Sequence, residues 1–298
     1  MTWDRNDLLS IDQLDRGDIN RILAHARLFH DHKGYSSDRC RGKILYCAFF
    51  EPSTRTHESF GVAMTRLGGY VRDFKPEGSS KEKGERNEDT MRILAGYGDI
   101  IVVRDPTIGS VKEYADMLDV PLINAGDGSG EHPTQALLDC YTINEACRTL
   151  NGLRVVFMGD LKRGRTVHSL IRALRKYERN DFLLYSPSGL ELPEELVDKK
   201  DCIKLERMDD IFQYTPDVIY ATRLQKERMP SEQRDSFVYC IDGEFMQRLP
   251  HNAVVMHPLP RVDELSAEAT ADERFIAFKQ AENGVPTRMA ILDMMLNR

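Results

Sequence analysis

The chain has 298 residues, a net charge of −7, 41% hydrophobic and 30% charged side chains. This is too apolar for a disordered chain and too mixed for a fibre, and the length suits two domains of roughly 150 residues each. The acidic total excludes a general nucleic-acid or membrane-surface role, since both need a basic face, but it leaves room for a local cationic pocket.

The longest apolar run, 44–50, falls far short of the ~20 residues of a membrane helix. The start Met1-Thr2-Trp3-Asp4 shows no basic stretch followed by an apolar one, so no secretory signal is expected. Cys40, Cys47, Cys140, Cys147, Cys202 and Cys240 include no CxxC pair. They read as reduced, ordinary core thiols of a cytoplasmic protein, with no zinc knuckle or dithiol motif.

Ile19, Ile22, Leu23, Ala26 and Phe29 recur at helical spacing. Residues 43–50 read as a buried strand, and a helix follows to about Leu67, ended by Gly68-Gly69. Further strands are predicted at 70–74, 100–103 and 121–124, and helices around 89–97, 110–118 and 134–147. The rhythm then restarts with a strand at 153–158 and a helix at 166–177. Strands at 182–185, 217–221 and 253–256 follow, and 288–296 closes the chain as an apolar helix with Pro286 suited to its first turn. Strand–helix alternation in both halves predicts an α/β protein of two doubly wound domains, each with a central parallel sheet flanked by helices. The turn residues Asn151-Gly152 place the boundary there, giving domains 1–148 and 149–284. Such sheets bind ligands at the carboxyl ends of their strands.

Unusual polar sequence gathers at those ends. Ser53-Thr54-Arg55-Thr56 links the strand 43–50 to its helix. A helix N-terminus offers free N–H groups and a positive dipole end, hydroxyls add donors, and Arg adds a planar fork. The stretch is an anion site, most naturally for phosphate, or else a hydroxyl helix cap with an exposed Arg. Gly159-Asp160-Leu161-Lys162-Arg163-Gly164-Arg165-Thr166 occupies the corresponding place in the second half. It lacks GxGxxG, so a second anion site using Arg165 fits better than a dinucleotide site.

Residues 79–85, Ser-Ser-Lys-Glu-Lys-Gly-Glu, form either a solvated loop or a mobile one that carries Ser79 and Lys83 to an anion. The glycine-rich stretch 126–131 ends in His132-Pro133-Thr134-Gln135, where Pro133 would start a helix and fix His132 and Gln135 near its first turn. In His257-Pro258-Leu259-Pro260-Arg261 two prolines stiffen the backbone and remove N–H donors, leaving carbonyls as acceptors. Arg223 and Gln225 follow another strand and point one way if the chain stays extended.

Taken together, these motifs resemble the aspartate and ornithine carbamoyltransferase family over essentially the whole chain. His132-Pro133-Thr134-Gln135, His257-Pro258-Leu259-Pro260, Gly164-Arg165-Thr166-Val167-His168-Ser169 and Thr222-Arg223 with Gln225-Lys226-Glu227-Arg228 are similar to its aspartate branch. The resemblance implies transfer of the carbamoyl group of carbamoyl phosphate to the amino group of L-aspartate, a step of pyrimidine synthesis. It implies that Ser53, Thr54, Arg55 and Thr56 hold the phosphate, and that Thr56, Arg104 and His132 contact the carbonyl oxygen. Gln135 and the carbonyls of Leu259 and Pro260 would hold the carbamoyl nitrogen. Arg165, Arg223 and Gln225 would hold the aspartate carboxylates. Ser79 and Lys83 would reach into a neighbouring subunit's site in a homotrimer, with Lys83 meeting aspartate there. Glu51 would pair with Arg165 and Arg228 as the domains close. The helix at 285–298 would return to the first domain. No cofactor and no metal is implied, and a separate regulatory chain is a partner the family admits.

The chain departs from the family pattern at two positions. Arg86 stands where Ser or Thr usually follows Lys-Gly-Glu, and adds charge to the loop. Asp105 stands where His commonly follows the site arginine, a place from which it would partly neutralise Arg104. A related transferase acting on an ornithine-like amine is disfavoured, because Arg165 and Arg223 suit a dicarboxylate.

Overall fold

The computed structural model describes residues 6–30, 36–76, 83–224 and 239–297. The chain divides into two compact units, Met1–Tyr141 with Glu282–Arg298, and Thr142–Ala281. Among the described residues no helix is long and apolar enough to cross a membrane, and none of the six cysteines is in a disulfide.

The first unit is built on parallel strands β1 (Ile44–Phe49), β2 (Tyr70–Phe74), β3 (Ile100–Asp105) and β4 (Leu122–Asp127), in the order β2-β1-β3-β4. Ile100, Ile101, Val102 and Val103 are fully buried, as a central strand covered on both faces requires. Leu8 extends the β4 edge by bonding to Leu122 and Asn124. Helices α1 (Arg16–His30), α2 (Thr54–Arg66), α3 (Asn87–Ala95) and α4 (Ser110–Met117) accompany the sheet. Helix α5 (Pro133–Cys147) begins in this unit and ends in the other, so the division by contacts falls inside a helix instead of at the Asn151-Gly152 turn.

The second unit has parallel strands β5 (Arg154–Met158), β6 (Asp181–Tyr185), β7 (Cys202–Lys204), β8 (Val218–Ala221) and β9 (Val254–Met256), in the order β7-β6-β5-β8-β9. Its helices are α6 (Arg165–Leu174), α7 (Gly243–Arg248), α8 (Ala267–Ala271) and α9 (Ala277–Glu282). Periodicity does not show β7 or α7 to α9, which have three to six residues and complete too few repeats. β3 and β4 also run to Asp105 and Asp127, past their apolar stretches, because the ladder continues into polar residues.

Helix α10 (Gly284–Leu296) packs on α1 and α2, within the first unit. It is apolar but for a few buried polar groups, and Asp293 is one of them. Its carboxylate meets His25 Nε2 at 2.6 Å, Arg39 Nε at 2.7 Å and Asn297 Nδ2 at 2.6 Å. Burial raises the Asp293 carboxyl, but these donors outweigh it and hold the group near a pKa of about 2 against an ordinary 3.8. A depressed folded-state value stabilises the fold above the unfolded pKa, and that stability is lost as pH falls through the folded one. The contribution at neutral pH is about 2 kcal/mol. Denaturant titrations of the wild type should therefore weaken between pH 4 and pH 2, with Asp293→Asn less stable at neutral pH and flatter across that window. Parallel pH profiles for the two proteins would remove Asp293 as the cause.

In each sheet the chain leaves the first strand to one side and returns on the other. The reversals lie at β1/β3 and β5/β8, where open sheets place their ligands.

Candidate active site

The carboxyl end of β1 leads through Glu51 into the first turn of α2. Ser53 is the N-cap residue with extended φ −159° and ψ 102°, yet its side chain makes no capping bond. That speaks against a simple hydroxyl cap. Thr54, Arg55 and Thr56 form the first turn, where N–H groups have no intrahelical acceptor. Arg55 lies on the exposed side, and partial desolvation lowers its pKa. Thr56 is buried, with Oγ1 3.3 Å from His132 Nε2.

His132 is set by the loop between β4 and α5. Its carbonyl accepts from the N–H groups of Gln135 at 3.0 Å and Ala136 at 3.2 Å, so it caps the helix that Pro133 starts. Asp127 shapes the loop by accepting from Glu131 N at 2.8 Å and Gly109 N at 3.2 Å. Gly128 has φ +51°, and a Cβ there would strike the carbonyl of Pro106 and the side chain of Ile108. Gln135 Nε2 donates to Asp139 Oδ1 at 2.9 Å, which leaves Oε1 as its acceptor end.

Arg104 is the next-to-last residue of β3, beside β1, where Phe50 N donates to its carbonyl at 2.8 Å. Its Nε lies 2.7 Å from Glu51 Oε1, and Nη1 donates to the Ala125 carbonyl at 3.5 Å. Glu51 thus has a partner within the first unit, where the family resemblance implied Arg165 and Arg228. Arg165 belongs to the second unit, and Arg228 lies outside the described residues. Glu51→Gln is expected to lower kcat roughly tenfold or more, since a charge-assisted bond contributes about 1.5–3 kcal/mol. Steady-state kinetics indistinguishable from wild type would remove Glu51 from the positioning of Arg104.

Asp105 does not partly neutralise Arg104 as expected. Neighbouring strand residues face opposite ways, and the Asp105 carboxylate accepts from Tyr114 Oη at 2.8 Å, Asn87 Nδ2 at 3.1 Å and Thr107 N at 2.8 Å. It ties β3 to α3 and α4 instead. Arg86 directs its guanidinium to Asp89 on its own helix, at 3.2 and 3.3 Å. Lys83 is exposed before α3, while Ser79 lies outside the described residues.

In the second unit Arg165 opens α6 after β5, and Arg223 follows β8. The two come from the carboxyl ends of neighbouring strands. Gly159 has φ +108°, and a Cβ there would run into the backbone of Thr222, so glycine lets these two strand ends approach. Thr222 donates through its N–H and Oγ1 to the Met158 carbonyl, both at 2.8 Å, and its own carbonyl accepts from the Tyr239 hydroxyl. His168 donates from Nε2 to the Leu161 carbonyl at 2.7 Å, tying the 159–164 loop to α6, and burial lowers its pKa. Gln225 lies outside the described residues.

The loop carrying Leu259 and Pro260 is held by His257. Its N–H donates to Gln280 Oε1 at 2.9 Å, its Nδ1 accepts from Leu259 N at 2.8 Å, and its Nε2 meets Glu264 Oε1 at 2.8 Å. Burial raises the Glu264 carboxyl, but His257 and nearby N–H groups hold it below the usual range. Leu259 has φ 56° and its bond to Pro260 is cis. Sequence reasoning missed Asp139, Tyr239, Glu264, Gln280 and Arg288, which hold the predicted residues in place. A cation inside the apolar stretch 284–296 was the one readable signal, since a buried charge needs a reason.

The profile described as "Aspartate/ornithine carbamoyltransferase, carbamoyl-P binding domain" matches residues 6–145, and that described as "Aspartate/ornithine carbamoyltransferase, Asp/Orn binding domain" matches 151–295. The aspartate carbamoyltransferase catalytic subunit of Archaeoglobus fulgidus is 46% identical, with 97% of this chain and 98% of the relative covered. That of Haloquadratum walsbyi is 45% identical, with 99% of each covered. Among solved structures, Trypanosoma cruzi aspartate transcarbamoylase in complex with carbamoyl phosphate and aspartate superposes with a TM-score of 0.92 at 38% identity, covering 97% of this chain and 96% of that one. The catalytic subunit of M. jannaschii aspartate transcarbamoylase gives 0.90 at 39% identity, covering 98% of each chain.

Proposed function

The chain belongs to the aspartate/ornithine carbamoyltransferase family, and from that premise we propose that it carbamoylates L-aspartate. Carbamoyl phosphate and L-aspartate give N-carbamoyl-L-aspartate and phosphate, a step toward pyrimidines. The observation that carries this reading is the meeting of Thr56 Oγ1 with His132 Nε2 beside the first turn of α2, in the same sheet that brings Arg104 against Glu51.

Ser53, Thr54, Arg55 and Thr56 hold the phosphate through hydroxyls, the guanidinium and the helix N–H groups. Thr56, Arg104 and His132 direct donors at the carbonyl oxygen, where negative charge grows in the transition state. Each such donor is worth ~3 kcal/mol, or about 10²-fold in rate. Gln135 Oε1 and the Leu259 and Pro260 carbonyls accept from the carbamoyl NH2. Arg165, Arg223 and Gln225 bind the carboxylates of aspartate.

The neutral amine attacks the carbonyl carbon, the C–N bond forms and the C–O bond to phosphate breaks. The amine proton leaves with the departing phosphate, which acts as its acceptor. Holding the two anions in line supplies the rest of the acceleration.

Ser79 and Lys83 serve the neighbouring subunit of a homotrimer, and a separate regulatory chain is compatible with relatives called catalytic subunits. Mixing inactive Lys83→Ala and Arg55→Ala chains should restore part of the activity as subunits exchange. No recovery after proven exchange would place both residues in one subunit's site.

The reading as a whole is tested by assaying ureido product from carbamoyl phosphate with L-aspartate or L-ornithine. Product from aspartate is expected, and product from ornithine alone would overturn the assignment.

A further inference from the structure

The proposed transfer gives no role to Cys47, His57 or Asp73, three side chains that the fold brings together in the first unit. Cys47 lies in β1 and Asp73 in β2, and the parallel register sets the two residues opposite each other. Residues paired in register share a face of the sheet. His57, in the first turn of α2, covers that face, with its ring edge-on to Phe49 at 5.2 Å. One ligand atom from each of Cys47, His57 and Asp73 lies within 4.8 Å of the others.

We propose that Cys47, His57 and Asp73 form a binding site for a divalent cation of the zinc class. Thiolate and imidazole select borderline-soft ions over magnesium or calcium, and a carboxylate completes a common three-residue set with a fourth position for water. The histidine is already oriented for the task. Its Nε2 faces Asp73 Oδ1 at 2.8 Å, while Nδ1 faces Glu58 Oε1 at 3.2 Å. In metal sites the ring nitrogen that does not bind the ion commonly donates to a carboxylate, and Glu58 occupies that place.

Charge points the same way. The carboxylates of Asp73 and Glu58 flank the His57 ring at 2.8 and 3.2 Å, and the Cys47 sulfur lies on the same face. A thiol and two carboxylates around one imidazole make a pocket that gains from positive charge. An incoming ion releases the thiol proton to solvent and takes its place. Tetrahedral bonds of ~2.0–2.3 Å need the His57 and Asp73 atoms to part slightly and the sulfur to close in. Side-chain exposures of 29% for His57 and 40% for Asp73 allow that adjustment and give the ion a route in.

The test is a Co2+ titration of the full, untagged chain after treatment with a chelator, read by optical absorption. The expected result is one equivalent per chain, with a thiolate-to-cobalt charge-transfer band and the intense visible bands of a four-coordinate ion. Zn2+ should displace the colour. Cys47→Ser should abolish the charge-transfer band, and His57→Gln and Asp73→Asn should weaken binding by about tenfold or more, as loss of a ligand or its support does. If Cys47→Ser fails to fold, the two half-exposed variants decide the matter. Absence of the band in the wild type would overturn the proposal and leave the cluster a His57–Asp73 ion pair. Persistence of the band in Cys47→Ser, or undiminished affinity in His57→Gln and Asp73→Asn, would overturn it equally.

Discussion

Arg55→Ala should lose carbamoyl transfer almost completely while keeping the fold. The guanidinium stands on the exposed side of the first turn of α2, away from the core, so its removal opens no cavity. What is lost is a planar pair of charge-assisted bonds to the phosphate. Each contributes about 1.5–3 kcal/mol, so two give roughly 10²- to 10⁴-fold in kcat/KM. Loss from an interaction made throughout the reaction would raise KM for carbamoyl phosphate. Loss from one that strengthens as the phosphate departs would lower kcat as well. Arg55→Lys should recover little, because a point charge does not reproduce the fork. Circular dichroism and thermal melts should match the wild type. Normal turnover in Arg55→Ala would refute the phosphate assignment, and with it the reading of the β1–α2 turn.

The second large effect is on stability. Arg288 sits in α10 with only 2% exposure. Its guanidinium stacks 5.0 Å from the Phe60 ring centre, and Nη2 donates to Thr134 Oγ1 at 3.5 Å. Gly284 leaves the room it needs, since a Cβ there would strike Nη1. Burial lowers the Arg288 pKa to about 9, against the opposing field of Asp139, so the group still carries its charge at neutral pH. Asp139 is itself fully buried and holds Gln135.

Arg288→Met keeps the volume and removes the cation whose field acts with the buried Asp139 carboxylate. Leaving one of two buried opposite charges without the other costs about 3–5 kcal/mol. At ~2–4 °C per kcal/mol, melting should drop by roughly 10 °C. A second change, Asp139→Leu, should return much of the lost stability, since apolar replacement of a whole buried pair is often neutral. It should not return activity, because Gln135 then loses its support. A small shift for Arg288→Met alone, or no recovery in the double variant, would show that the pair is not what α10 contributes.

Much of the architecture was legible because strands and helices announce themselves through local periodicity. The two buried strand cores, the amphipathic helices and Pro133 at the head of α5 could be read from neighbours within a few positions. The hydroxyls, glycines and arginines that follow the strands were legible too, and they carry the anion-binding reading proposed above. The short elements were not legible, and neither was the layer that holds the site. Asp139, Glu264 and Gln280 sit in ordinary helical or loop sequence, and nothing local marks their partners.

By itself, then, the sequence determined which residue types stand at the carboxyl ends of the strands. Residue identity and spacing are properties of the chain. The tertiary structure alone decided the pairings. Glu51 meets Arg104 because β1 lies beside β3, and Asp105 turns to Tyr114 and Asn87 because strand residues alternate. Cys47 meets Asp73 through the parallel register of β1 and β2, with His57 laid over them by α2. Strand order and register come from the packing of whole faces against one another, and no window of sequence carries that information.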